Sequence, residues 1–111
     1  MAALSTQNPT AAGVAITYAS CAGGGDTFVN TGRERVHIKN GSGGSITVTF
    51  SSGSNKCSFG VSNTAHDRVV TVGAGVDKWV DVFDPSQFND ASNNVNIAYS
   101  GVTSLTIAVL R

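Results

Sequence analysis

The sequence predicts an all-β fold: a single antiparallel β-sandwich, jelly-roll or Greek-key like, with an N-terminal arm. Three observations carry that expectation. Apolar residues recur at every second position in short runs rich in Val, Ile and Thr, the spacing of half-buried strands. Clusters of Gly, Asn, Ser and Asp separate the runs. No window places apolar residues at i, i+3, i+4 and i+7 over a helical length.

Taken in order, residues 1–13 are small, polar and unpatterned. Such an arm should be disordered unless a neighbouring subunit or partner holds it. The first run, GVAITYAS, alternates Val14, Ile16 and Tyr18 with small residues. The glycine triplet of CAGGGD then reads as a hinge. The expected units are therefore 1–24, the arm with a first strand and the hinge, and 25–111, the sandwich. Within the sandwich come RERVHIKN, SITVTFSS, CSFGVS, DRVVTVG, DKWVDVF, NVNIAYS and TSLTIAVL. NGSGG (40–44) and GAG (73–75) read as tight hairpin turns between antiparallel neighbours. DPSQFNDASN (84–93) reads as a crossover, with Pro85 fixing φ and Phe88 plugging one end of the core from a single helical turn.

A chain of 111 residues builds one core. Seven basic residues balance seven acidic ones, so no global charge draws it to nucleic acid or to an anionic membrane. The first twenty residues hold no basic residue and no continuous apolar run, and no stretch is long enough to cross a bilayer, so a protein made and kept in the cytosol is expected.

Signatures of chemistry are thin. The chain lacks G-x-x-x-x-G-K-[ST], G-x-S-x-G and H-E-x-x-H, so neither an enzyme nor a cofactor is expected. Cys21 and Cys57 read as free buried thiols. With His37 and His66 they make four soft ligands that lack metal-site spacing, so no metal is expected. His66–Asp67 reads as a polar lead-in to a strand. Asp77, Asp81, Asp84 and Asp90 suit an exposed strand face and turns better than calcium binding or catalysis. Trp79 and Phe83 share a strand parity, the candidate platform of a carbohydrate-binding module.

One stretch concentrates charge. Arg33, Arg35 and Lys39, three of the seven basic residues, fall within seven positions. Read with a period of two, Arg33, Arg35, His37 and Lys39 point one way and Val36 and Ile38 the other. Glu34 falls with Val36 and Ile38, at a rim where a neighbouring base can pair with it. The ladder is either a solvated strand face that resists edge-to-edge aggregation or a contact for an acidic protein surface. Nucleic acid ranks lower, since no exposed aromatics interleave with the cations.

The blocks GDTFVNTGRERVHIKNGSGGSITVTF, HDRVVTVGAGVDKWVDVFDPSQFND and VNIAYSGVTSLTIAVLR, in that order and spacing, resemble a family of small structural proteins of tailed-bacteriophage and prophage virions. The likeness spans 25–111 and omits the arm. HIKNG stands where the family has a more apolar strand, and VDVFDP where Gly-Pro often precedes the Phe. The resemblance implies a non-enzymatic capsid decoration (cement) protein on the virion surface, with the major capsid protein as partner. It also implies a homo-oligomer, a trimer at a local threefold axis, with neither nucleic acid nor membrane bound. Arg33, Arg35, His37 and Lys39 are the candidate partner-binding residues, together with the arm and an exposed edge strand. A neck or tail component of the virion, and a carbohydrate-binding sandwich module, are the alternatives.

Overall fold

The computed structural model describes residues 2–8, 10–51 and 67–111. Cys57, Phe59, Val61 and His66, and the strand expected in CSFGVS, lie outside the described residues. The described chain is all-β, ten strands in two sheets with one helical turn. The strands are β1 (Ala2–Leu4), β2 (Thr6–Gln7), β3 (Ala19–Ser20), β4 (Asp26–Val29), β5 (Arg35–Asn40), β6 (Ile46–Phe50), β7 (Arg68–Val72), β8 (Asp77–Val80), β9 (Asn94–Tyr99) and β10 (Leu105–Leu110). The helical turn, α1 (Pro85–Phe88), lies between β8 and β9.

The first sheet runs β1-β4-β9-β6-β7; the second runs β2-β10-β5-β8, with β3 also paired to β10. Alternation explains the layering. Phe28, Val48, Phe50, Val95 and Ile97 of the first sheet meet Val36, Ile38, Val80, Ile107 and Val109 of the second, all buried. Asn and Thr fill most of the opposite parity on β6 and β9 and stay partly wet.

Four expectations about the backbone need correction. The 40–44 and 73–75 segments are not hairpin turns: β5 and β8 belong to the second sheet, whereas β6 and β7 belong to the first. Each segment therefore arches from one layer to the other. Asn40 supplies the reason. Its side-chain amide donates to the carbonyls of Gly44 (2.8 Å), Val72 (2.9 Å) and Gly73 (3.2 Å), while its Oδ1 accepts from the Ser42 amide and hydroxyl. One buried carboxamide thus ties both arches together. Replacing Asn40 with alanine strands those carbonyls and should cost about 2–3 kcal/mol, read as a lower urea midpoint at unchanged slope.

The arm is the second correction. It is held by its own domain: β1 pairs parallel with β4 and β2 parallel with β10, so the arm crosses from one sheet to the other along one flank. The sheets are consequently mixed, although every pairing among β3 to β10 is antiparallel. Third, residues 14–18 do not form a strand. There Gln7 substitutes for a backbone partner, its carboxamide donating to the Thr17 carbonyl (2.7 Å) and accepting from the Thr17 amide (2.9 Å). Regular pairing starts only where Ala19 meets Ile107.

The glycine triplet is a bonded turn rather than a swinging joint. The Gly25 amide donates to the Ala22 carbonyl at 2.9 Å, and Gly25 has φ +96°. A Cβ there would stand 2.5 Å from the Ile97 carbonyl oxygen, so the backbones of β4 and β9 close up only around glycine. The crossover follows its composition: α1 forms at Pro85, and Phe88 is buried against Phe83 at 5.3 Å.

Candidate functional site

The outer face of the second sheet gathers the sequence-predicted cations. Arg35, His37 and Lys39 alternate outward on β5, opposite the parity of Val36 and Ile38. Arg33 lies before the strand and is exposed. The strand brings the other three together, but not as free charges.

Their antiparallel neighbour β8 presents Trp79 and Asp77 at the matching positions: His37 faces Trp79, and Lys39 faces Asp77. Just past the strand end, Asp81 Oδ1 accepts from Arg35 Nε at 3.0 Å. A carboxylate thus stands against each end of the ladder, ion-paired with Arg35 and in register with Lys39, with two flat rings between. The imidazole and the indole stack with centroids 4.4 Å apart and planes 14° from parallel. Tyr18, just before β3, completes the layer. Its hydroxyl lies 2.6 Å from His37 Nδ1, and Lys39 Nζ sits 4.2 Å from the centre of its ring.

Burial pushes the His37 imidazole below its ordinary pKa, an effect Asp77 opposes and Lys39 reinforces. In a neutral ring protonated at Nε2, Nδ1 accepts from the Tyr18 hydroxyl; in the other tautomer it donates to it. Asp81 is held below the usual carboxylate range by the Val82 amide first and by Arg35 next. Arg35 and Lys39 each stand opposite a carboxylate, so this part of the ladder is locally balanced rather than cationic.

What remains presented is the indole. Trp79 is 59% exposed, its inner face backed by His37. It borders two shallow concavities, one of about 410 Å³ with Arg35, Leu110 and Arg111, the other of about 260 Å³ with Arg35, Val80 and Asp81. The expected partner of Trp79 in a sugar platform is absent from this surface: Phe83 is fully buried. Strand β8 ends at Val80, and Asp81 folds back to accept from the Val82 amide at 2.8 Å, so the period-two parity does not reach residue 83.

Sequence reasoning missed Tyr18, Asp77 and Arg111 as members of this surface and read Asp81 only as an exposed strand residue. A signal for two of them was present. Read antiparallel, R-V-H-I-K and D-K-W-V-D complement each other, Arg35 with Asp81, His37 with Trp79 and Lys39 with Asp77. No such signal marks Tyr18 or Arg111, which reach the face from the two ends of the segments flanking β3 and β10.

A second polar cluster lies inside. Asp26 is fully buried; its Oδ2 accepts from the Tyr99 hydroxyl at 2.6 Å and the Ala22 amide at 3.2 Å. Cys21 is a free, buried thiol beside it. Burial pushes that thiol up to about 11, with Tyr99 lowering and Asp26 raising it, so it stays protonated and unreactive at neutral pH. Burial and the Asp26 hydrogen bond also raise Tyr99. The cluster pins the turn at 21–26 to β9. Among the described residues, no three His, Cys, Asp or Glu side chains converge as a metal site, and no helix is long and apolar enough to cross a membrane.

Comparisons with protein-family models, with curated proteins and with solved structures found no match.

Proposed function

We propose that this protein is a non-enzymatic structural component of a bacteriophage virion, a decoration protein that binds the major capsid shell through the outer face of its second sheet. The family resemblance of 25–111 suggests the class, and Trp79 is the observation that carries the surface. An exposed indole backed by a stacked ring and flanked by the Arg35–Asp81 ion pair has the make-up of an interface anchor: large, rigid, and costing little side-chain entropy to immobilise. Arg33 and Arg35 at the rim would steer an acidic partner more than they would hold it. Repetition over a lattice converts such modest contacts into high occupancy.

The test is binding to expanded capsids. Trp79→Ala should weaken occupancy at least tenfold while unfolding at nearly the wild-type temperature, because the side chain is mostly outside the core. Arg33→Glu with Arg35→Glu should slow association and reduce its dependence on salt. Full occupancy by both variants would remove this face from the contact.

A second reading rests on the same indole. Trp79 with the adjoining Arg35–Asp81 pair offers one stacking plane and hydrogen-bonding groups of both signs, which suits a sugar ring. Trp79-dependent binding on a glycan array, without capsid binding, would favour it over decoration.

A further inference from the structure

The two concavities beside the Trp79 indole differ in chemistry. The smaller holds Asp81 next to Arg35. The larger, of about 410 Å³, is lined by Arg35, Trp79, Leu110 and Arg111: two guanidiniums and two apolar side chains, with no carboxylate. Register explains the set. Leu110 stands beside Arg35 across β10 and β5, Trp79 stands beside His37 across β8 and β5, and Arg111 follows Leu110 directly.

Both guanidiniums are already held by the protein. Arg35 gives Nε to Asp81, and Arg111 gives Nε and Nη2 to Glu34. A guanidinium has five N–H donors, and these contacts use one nitrogen of the first fork and two of the second. Glu34 has no exposed side-chain surface and no part in the lining. Arg33, exposed and two residues before Arg35, makes no ion pair among the described residues. Three cations (Arg33, Arg35 and Arg111) thus stand against two carboxylates (Glu34 and Asp81), an excess of one positive charge at this corner.

We propose that the larger concavity takes one acidic residue with an apolar neighbour, presented by a peptide segment of the partner protein. This rests on reading the Trp79 face as the contact surface, and it names what the partner brings there. The carboxylate meets the remaining donors of two forks fixed beforehand, so little ordering is left to pay. The apolar neighbour lies against the indole and Leu110. Arg35, which draws an acidic partner from a distance, also supplies one of the forks at contact. A volume of about 410 Å³ has room for a pair of side chains. One surplus charge is a poor match for the row of phosphates on a nucleic acid. A sugar acid fits less well, because its hydroxyls need acceptors and the lining side chains offer only donors and hydrocarbon.

NMR of the ¹⁵N-labelled full chain tests the proposal, with a capped Leu-Glu-Leu tripeptide added to about 20 mM. Trp79 is the chain's one tryptophan, so its indole N–H gives a single assigned signal. The peptide should shift that signal and the Leu110 amide, with a Kd on the order of 1 mM that rises with added salt. Capped Leu-Gln-Leu should bind about fivefold more weakly. Arg35→Gln should raise the Kd about threefold, and Trp79→Ala, read on the Leu110 amide, serves if Arg35→Gln disturbs the strand. Lys78→Gln, on β8 but outside the lining, should leave it unchanged. No shift at any concentration, equal binding of the glutamine peptide, indifference to both substitutions, or tighter binding of glucuronate would overturn the proposal. Failure of the capsid role reads separately: peptide binding without capsid occupancy keeps this site and removes the shell as partner, whereas capsid occupancy without peptide binding removes this site alone.

Discussion

Replacing Phe83 with alanine should destabilise the domain by about 3–5 kcal/mol, a larger cost than that of Asn40→Ala or Arg111→Ala. Phe83 has no exposed surface. Its ring meets Phe50 at 4.7 Å, Phe88 at 5.3 Å and Phe28 at 5.7 Å, so aromatic side chains from β4, β6 and α1 converge on one residue of the 81–84 connection. The Arg68 guanidinium caps the cluster 4.3 Å from the ring centre and donates to the Asp81 and Val82 carbonyls. Truncation opens a cavity among rings that cannot all move inward, and it strips the cation of its platform. Urea unfolding gives the magnitude. Phe83→Leu, which keeps most of the volume, should recover more than half of the loss, and a loss below about 1 kcal/mol for Phe83→Ala would show that this end of the core is not packed as described.

Arg111→Ala should cost about 2–3 kcal/mol at neutral pH, and the cost should depend on pH. Glu34 has no exposed side-chain surface, and its Oε2 accepts from Arg111 Nη2 at 2.7 Å and Nε at 2.8 Å. The Thr31 amide and hydroxyl and the Arg33 amide complete the carboxylate's partners. Removing the guanidinium leaves a buried charge with neutral donors alone. Arg111 is itself 40% exposed, so the figure lies below that for a fully enclosed pair.

Burial pushes the Glu34 carboxyl up, but the hydrogen bonds of Thr31 and Arg111 outweigh it and hold the group below its usual range. A carboxyl depressed in the folded state adds stability that is complete above the unfolded value of about 4.3 and is lost as pH falls through the folded value. The gap between wild type and Arg111→Ala should accordingly be widest near neutrality and narrow in acid, where Glu34 is protonated in both. A gap constant from about pH 7 to about pH 3 would mean that Arg111 acts by packing alone.

The layers were readable because side-chain parity is a local property of a strand. Val36 and Ile38 inward, Arg35 and Lys39 outward, and Glu34 on the core side all follow from a period of two. Sheet membership was not readable. A glycine-rich turn permits a hairpin and an arch equally, and Asn40 decides between them by reaching Val72 and Gly73, far away in sequence. The arm was opaque for the same reason, since two short strands gain their order from the flanks of β4 and β10, which lie far off along the chain. At the candidate site, charges were visible but their cancellation was not, because pairing Arg35 with Asp81 requires knowing that β5 lies beside β8.

The proposed role turns on whether the Trp79 face meets the capsid shell. Occupancy of expanded capsids by wild type and by Trp79→Ala, each shown to be folded, measures this most directly. At least tenfold weaker binding of the variant is the result expected. Equal occupancy, or no binding of wild type at any concentration, would contradict a decoration role for this face.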